Sequence, residues 1–402
     1  MVEWKKIDDI IISLKTGLNP RANFVLNTPE SKIPYITGKD IFENRINVSD
    51  KTDMIDKKAL RLINKRACLD DNLLLFASTG TGTVGRMAIV DKYNNDWGIS
   101  ETLYAIKTKD IISPYFLMYC LYSHNITKQF EPKISKGSVP HLKVVDLLNV
   151  QIPIPSLDEQ NRIVGILDTF TASIDNLKEQ IAQRRKQYEY YRDQLFYASK
   201  ADLLEASKRG EAIVKSLDDL GTFTRGRRFV RTDIVPEGVP CIHYGDMYTY
   251  YGISAEETPT HLTKELSSKL RFAKNGDVVI VAAGENDLDI GVGVAWLGKE
   301  PVVVHDACFI FEHEQNPKYL SHFMRSRNYH QQIRMGVVDG KICSISAKEL
   351  GRALIAVPSL QDQQRIVSIL DTFEASIQNL EVQLSQREKQ YEYYRNKLLT
   401  FE

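Results

Sequence analysis

The residues that could do chemistry are few. Gly80, Gly82 and Gly85 stand at GxGxxG spacing behind an apolar run, and with Arg86 the stretch falls one lysine short of a phosphate-binding loop. Either pattern would suggest a nucleotide or S-adenosylmethionine site. Both need a helix whose N-terminus faces the phosphate. Here residues 87–90 form a second short apolar run that reads as a strand. The corresponding loop of the second half, with Glu285, Asn286 and Asp287, loses the first glycines. The spacing therefore predicts a surface loop that can offer backbone N–H groups to a DNA phosphate. No Asn-Pro-Pro-Tyr/Phe box for base methylation, no GxSxG and no HExxH occurs, and the eight histidines show no metal spacing. The five cysteines are scattered without a CxxC, the usage expected of reduced thiols in a cytosol.

What remains is cationic and aromatic. Lysine plus arginine equals aspartate plus glutamate at 52 each, so a nucleic-acid surface must come from local clustering. Arg225, Arg227 and Arg228 surround Gly226, with Arg231 following; glycine beside arginine lets the backbone approach a phosphate. His243, Tyr244, Asp246 and Tyr248 follow an apparent strand and are types that read base edges. Lys57, Lys58, Arg61, Lys65 and Arg66 read instead as the solvated face of a helix. By charge and loop position, the DNA-binding candidates of the first half are Thr16, Arg21, Lys39, Thr79, Thr81, Arg86, Lys136 and Ser138. Those of the second are Arg225, Arg227, Arg228, His243, Tyr244, Tyr248, Asn286 and Lys341. Each cluster alone is equally compatible with plain surface; their recurrence in corresponding loops favours a binding role.

The elements that position these loops are announced by a repeat. Residues 155–196 return at 358–399 with a constant offset of 203, no gap, and 28 of 42 positions identical. The period is too long for a solenoid, so half a protein is duplicated. Ile163, Leu167, Phe170, Ile174, Leu177, Ile181, Arg184, Tyr188, Tyr191 and Leu195 recur by fours and threes, and their counterparts from Ile366 to Leu398 do the same. That is the a/d seam of a coiled coil. Ser156 with Glu159, and Ser359 with Asp362, mark the helix starts. Each rod should find its partner in its own copy, antiparallel if the halves are related by a pseudo-twofold; two separate coiled coils joining other molecules are the alternative. Identity extends off the seam, to Gln160, Arg162, Lys186, Glu189, Tyr190 and Arg192 and to Gln363, Arg365, Lys389, Glu392, Tyr393 and Arg395. Seam packing does not explain these, so they are candidate contacts for a partner held twice; slow change of the whole rod would also produce them.

The globular parts kept only landmarks. Ile7-Asp8-Asp9-Ile10 is answered by Leu217-Asp218-Asp219-Leu220, and Ile33-Pro34-Tyr35-Ile36 by Val239-Pro240-Cys241-Ile242. With 402 residues, 43% hydrophobic and 26% charged, two to three ordinary globular domains fit. The predicted plan is a first domain over 1–154, a helix over 155–209, a second domain over 210–357 and a second helix over 358–402. Residues 199–210 read as a polar linker. The class is α+β: two mixed α/β domains joined by a pair of long antiparallel coiled-coil helices with an internal pseudo-twofold repeat. No N-terminal signal pattern and no apolar run long enough to span a membrane is present.

This architecture, with rods opening Pro-Ser-Leu-x-x-Gln at 155–160 and 358–363 and the IPYITGKDI stretch at 33–41, resembles the specificity subunit of type I restriction-modification enzymes over the whole chain. The resemblance implies two target recognition domains, each reading one half of a bipartite double-stranded DNA site, and a coiled coil that sets the spacer. It implies docking of two modification subunits carrying S-adenosylmethionine, and of restriction subunits using ATP and magnesium. It implies no cofactor and no catalysis in this chain, and a cytoplasmic place of action. DNA-contacting residues vary within that family, so none is carried over. The competing classes are a self-contained S-adenosylmethionine-dependent DNA methyltransferase and a coiled-coil scaffold without a DNA role.

Overall fold

The apolar runs at the centre of each half are strands because both their faces are covered. The computed structural model describes residues 2–92 and 96–401. Leu74–Ala77 is buried at every position and pairs antiparallel with Leu103–Thr108 on one side and Met87–Ile89 on the other. Ile11–Thr16 completes this four-stranded sheet at its edge. Phe116 and Leu117 of the helix Pro114–Tyr122 join Leu74 and Phe76 in one core. A second sheet sets Ile33–Ile36 between Asp53–Ile55, antiparallel, and Gly98–Ile99, parallel. The helix Lys57–Ala67 buries Ala59, Ile63 and Ala67 beside it and leaves its basic face outward.

The second half repeats the scheme. Gly221–Arg225, Cys308–His313, Val278–Val281 and Gly293–Trp296 stand in the order of their counterparts, with Ser254–Ala255 added at the edge. Val239–Ile242 pairs antiparallel with Thr260–Leu262 and parallel with Val302–Val304. The helix Pro317–Phe323 covers the sheet as Pro114–Tyr122 does.

The rods are the helices Leu157–Leu195 and Leu360–Leu398, 39 residues each. The chain divides into two compact units that do not follow chain order: residues 1–176 with 383–402, and residues 177–382. Each unit therefore holds one globular domain, the first half of the rod that follows it and the second half of the other rod. Within each unit the rods run antiparallel, and the contacts repeat at the offset of 203. In the first unit Phe170 stacks on Tyr394 with centroids 5.4 Å apart, and Arg387 lies over the Phe170 ring at 5.7 Å. In the second, Phe373 stacks on Tyr191 at 5.4 Å, and Arg184 lies over it at 5.9 Å. The arginines at seam positions are thus cations on aromatic faces. Tyr191 and Tyr394, expected inside the seam, lie at its edge, 48% and 41% exposed.

The segment after the first rod is no linker. Tyr197 takes a left-handed backbone (φ 61°), and a new helix, Lys200–Lys208, follows with Ser199 as its cap. Leu203 and Ala206 are fully buried, which a solvated linker would not provide.

Candidate nucleic-acid interface

Two loop systems occur in each unit. The first is a cleft where the edge strand of the large sheet leaves beside the parallel pair of the small one. Gly17 makes this possible in the first unit, since an added Cβ would sit 1.7 Å from the Ile99 carbonyl oxygen. Gly226 does the same in the second, 2.2 Å from the His305 oxygen. These close approaches put residues 17–19 beside 99–101, and residues 225–229 beside His243 and 304–306.

The same backbone carries different chemistry. In the first unit the Asn19 amide donates to the Glu101 carboxylate at 2.7 Å, and the Thr16 hydroxyl accepts from Arg66 at 2.9 Å. Arg21 is exposed, and Lys39 is half-exposed and ion-paired to Asp53 at 2.7 Å. In the second unit Arg225 Nε donates to the Asp306 carbonyl at 2.8 Å and Arg227 to the Lys269 carbonyl at 2.7 Å. Arg228 is exposed and, among the described residues, makes no hydrogen bond or ion pair. His243, Tyr244 and His305 form a ring cluster, with His243 4.6 Å from Tyr244 and 4.9 Å from His305. Burial holds the His243 and His305 imidazoles below the usual histidine range, so both are neutral at pH 7. Tyr248 lies in the short helix Asp246–Thr249, and its side chain is outside those described.

The second system is a pair of loops zipped together. Residues 78–86 join strands Leu74–Ala77 and Met87–Ile89 as a hairpin, with positive φ at Gly80, Gly82 and Gly85. Gly80 N–H donates to the Pro140 carbonyl, and Thr79 Oγ1 lies 2.7 Å from His141 Nδ1. Thr81 reaches the Ser138 carbonyl at 3.4 Å. In the second unit Ala283 and Gly284 pair antiparallel with Ser344 and Cys343. Lys136, Ser138, Asn286 and Lys341 are all exposed at these tips, Asn286 also capping the turn Asp287–Asp289. Arg86 is a correction: its guanidinium turns inward to the Ile41 carbonyl at 3.1 Å and braces the hairpin. No helix follows these glycines, so the phosphate-loop geometry is not formed.

On the rods the off-seam identities fall into two groups. Arg162, Arg365, Lys186, Lys389, Glu189, Glu392, Tyr190 and Tyr393 are exposed. Gln160 and Gln363 contradict the expectation, because both are fully buried. Gln160 accepts from Ser113 N–H at 2.9 Å and donates to the Ile111 and Pro155 carbonyls at 2.9 and 3.0 Å. Gln363 accepts from Asn316 N–H at 2.9 Å and donates to Pro358 and Gln315. They clasp each domain to its own rod and are closed to a partner. Arg192 and Arg395 are also turned in, over the rings of Tyr188 and Tyr391 at 5.4 Å each.

Among the described residues no group of three or more His, Cys, Asp or Glu could hold a metal, and no helix is long and apolar enough to cross a membrane. The chain is thus a duplicated α+β scaffold with loop surfaces of differing chemistry, tied by paired helices. The chain belongs to the family of type I restriction modification DNA specificity domains, whose pattern it matches twice, over residues 1–184 and 211–387. Target recognition domains and DNA binding follow from that membership. The chain is 25% identical to a putative type I restriction enzyme specificity subunit of Haemophilus influenzae over 100% of this chain and 96% of that one. It is 32% identical to the specificity subunit of an Escherichia coli type I restriction enzyme over 62% of this chain and 63% of that one. A solved chain from work on complex assembly and conformational transition of a type I restriction-modification system shares the fold, with a TM-score of 0.61 and 17% identity over 99% of this chain and 97% of that one.

Proposed function

We propose that this chain is the non-catalytic, sequence-reading subunit of a type I restriction-modification complex, in which each domain reads one half of a bipartite DNA site. The observation that carries the reading is the contrast within the duplication. The two clefts share backbone and close glycine contacts but present an amide–carboxylate pair in one unit and arginine with imidazole rings in the other. One scaffold with two surfaces is what recognition of two different half-sites requires.

The rods set the spacer and offer the same exposed face twice, through Arg162, Lys186, Glu189 and Tyr190 and through Arg365, Lys389, Glu392 and Tyr393, to two modification subunits. Those subunits bring S-adenosylmethionine, and restriction subunits joining them bring ATP and magnesium. The complex acts in the cytoplasm. The named assembly of the relative in the solved complex supports the partner reading. Methylome sequencing of a host with and without this chain tests it. A two-part methylated motif that appears only with the chain is the expected result; methylation unchanged by its removal would sink the proposal. Purified chain that binds S-adenosylmethionine alone would favour the self-contained methyltransferase instead.

A further inference from the structure

The cleft of the second unit leaves an unusual set of polar groups unpaired. Gly245 N–H donates to His243 Nδ1 at 3.3 Å. A backbone N–H can only donate, so that nitrogen is the acceptor and the proton of the neutral ring sits on Nε2, which points its donor out of this contact. Ala307 N–H fixes His305 in the same way at 3.0 Å, and the Phe229 carbonyl takes up the rest of that ring's hydrogen bonding. His305 is thus a buttress for His243. Among the described residues the Arg228 guanidinium and the Tyr244 hydroxyl have no hydrogen-bond partner. Of the nearby carboxylates, Asp246 Oδ2 accepts from His243 N–H at 3.3 Å and from Thr260 at 3.1 Å. The Asp306 carboxylate lies 3.2 Å from His305 Nδ1, an acceptor that gives it no proton, and stands at the far side of that ring.

We infer that Arg228, next to Phe229 whose ring packs on His243 at 5.9 Å and on His305 at 5.0 Å, reads the major-groove edge of a guanine in the half-site recognised by residues 210–357. The inference rests on the DNA-reading function proposed above. The Arg228 fork and the His243 Nε2–H are donors, and they complement an edge that carries acceptors. Guanine presents O6 and N7, and a guanidinium fork meets both at once; adenine and cytosine place an amino donor there. The equivalent cleft of the first unit has Asn19 in place of Arg228, already bonded to Glu101, and Thr37 and Ser100 in place of the two histidines. That cleft offers no such fork, so the readout belongs to one half-site only. Asn19 also shows that the scaffold does not need an arginine at this position.

The test uses the full complex in a host free of other methylation, comparing wild type, Arg228→Ala, Arg228→Lys and, as control, Asn19→Ala by methylome sequencing. A chimera carrying a relative's residues 210–357 assigns the half-site. The expected result is a guanine in that half, and loss of discrimination at that one base by roughly tenfold or more in Arg228→Ala. Arg228→Lys should relax the same base, and Asn19→Ala should leave this half-site unchanged. Arg228 is exposed and unpaired, so a thermal melt of the variants should match wild type. The inference is overturned if the half-site lacks guanine. It is equally overturned if Arg228→Ala lowers methylation evenly at all sites while Arg228→Lys restores it, the signature of a phosphate contact. Absence of any chain-dependent two-part motif would instead remove the function proposed above.

Discussion

The buried glutamines show how much one side chain can hold. Gln160 and Gln363 each accept from a backbone N–H of the domain to which their rod is attached and donate back to it, Gln160 to the Ile111 carbonyl and Gln363 to the Gln315 side-chain carbonyl. Gln160→Ala would remove the partner of the half-buried Ser113 N–H and of the Ile111 carbonyl, a loss of about 0.5–1.5 kcal/mol per hydrogen bond. Urea unfolding of the variant should show a lower midpoint, with Gln160→Glu rescuing less than half because only the acceptor remains; an unchanged midpoint would deny the clasp its role. A second residue-scale prediction concerns pH. His322 is fully buried, with Nδ1 3.0 Å from the Tyr188 hydroxyl and Nε2 3.3 Å from Asp371, which also pairs with Lys318. Burial holds its imidazole below the usual range, and burial pushes His313 down to about 4. A histidine depressed in the folded state binds its proton more readily when unfolded, so its contribution is complete above about pH 6.5 and is lost as pH falls towards the folded value. Stability of the second unit should therefore decline from about pH 6.5 to 4. His322 occupies the place of Tyr119, whose hydroxyl donates to Asp168 at 2.6 Å. His322→Tyr should make that decline shallower; a denaturation profile as steep as wild type would contradict the assignment.

At the scale of elements, the rods were legible and the loops were not. A seam repeated twice over 39-residue helices is a local signal, carried by spacing alone. The same spacing placed Gln160 on the outside, because nothing in a heptad says that a globular domain covers an off-seam position. The helix Lys200–Lys208 looks like a linker in the sequence because only Leu203 and Ala206 of its residues are buried, too few for a period to stand out. The strand-end clefts depend on parallel pairing between residues far apart, such as Ile36 with Ile99 and Ile242 with Val304. Asn19, Glu101 and His305 come together only through that pairing; the match of Thr16-Gly17 with Arg225-Gly226 in the sequence aligns Asn19 with Arg228 but does not reach Glu101 or His305. The rods also carry a prediction of symmetry. Phe170 and Phe373 make matching stacks with Tyr394 and Tyr191, in different units. Phe170→Ala and Phe373→Ala should each destabilise by about 1–3 kcal/mol. Their effects should add within about 0.5 kcal/mol in the double variant, since the stacks share no partner. Strong non-additivity in urea titrations would show that the two are not independent.

For the whole molecule, duplication separates what must stay fixed from what must vary. The rods kept two-thirds of their residues because each half of each rod packs on a domain, pairs with the other rod and, on the function proposed here, faces a partner. The clefts kept glycines and strand register and changed the rest. This division makes spacer and half-site separable. A helix of 39 residues extends roughly 58 Å at about 1.5 Å per residue, the length of some 17 base pairs at about 3.4 Å each. The rods pair antiparallel within each unit, so a change of length in one rod alone breaks the matched stacks. Inserting one heptad at the midpoint of both rods, between residues 180 and 181 and between 383 and 384, preserves the seam and the pairing. Methylation mapping of that variant should return both original half-sites with a spacer longer by about three base pairs. Replacing residues 210–357 with those of a relative should change one half-site and leave the spacer alone. Altered half-sites with a fixed spacer in the heptad variant would mean that the rods do not measure the DNA, whatever else they hold.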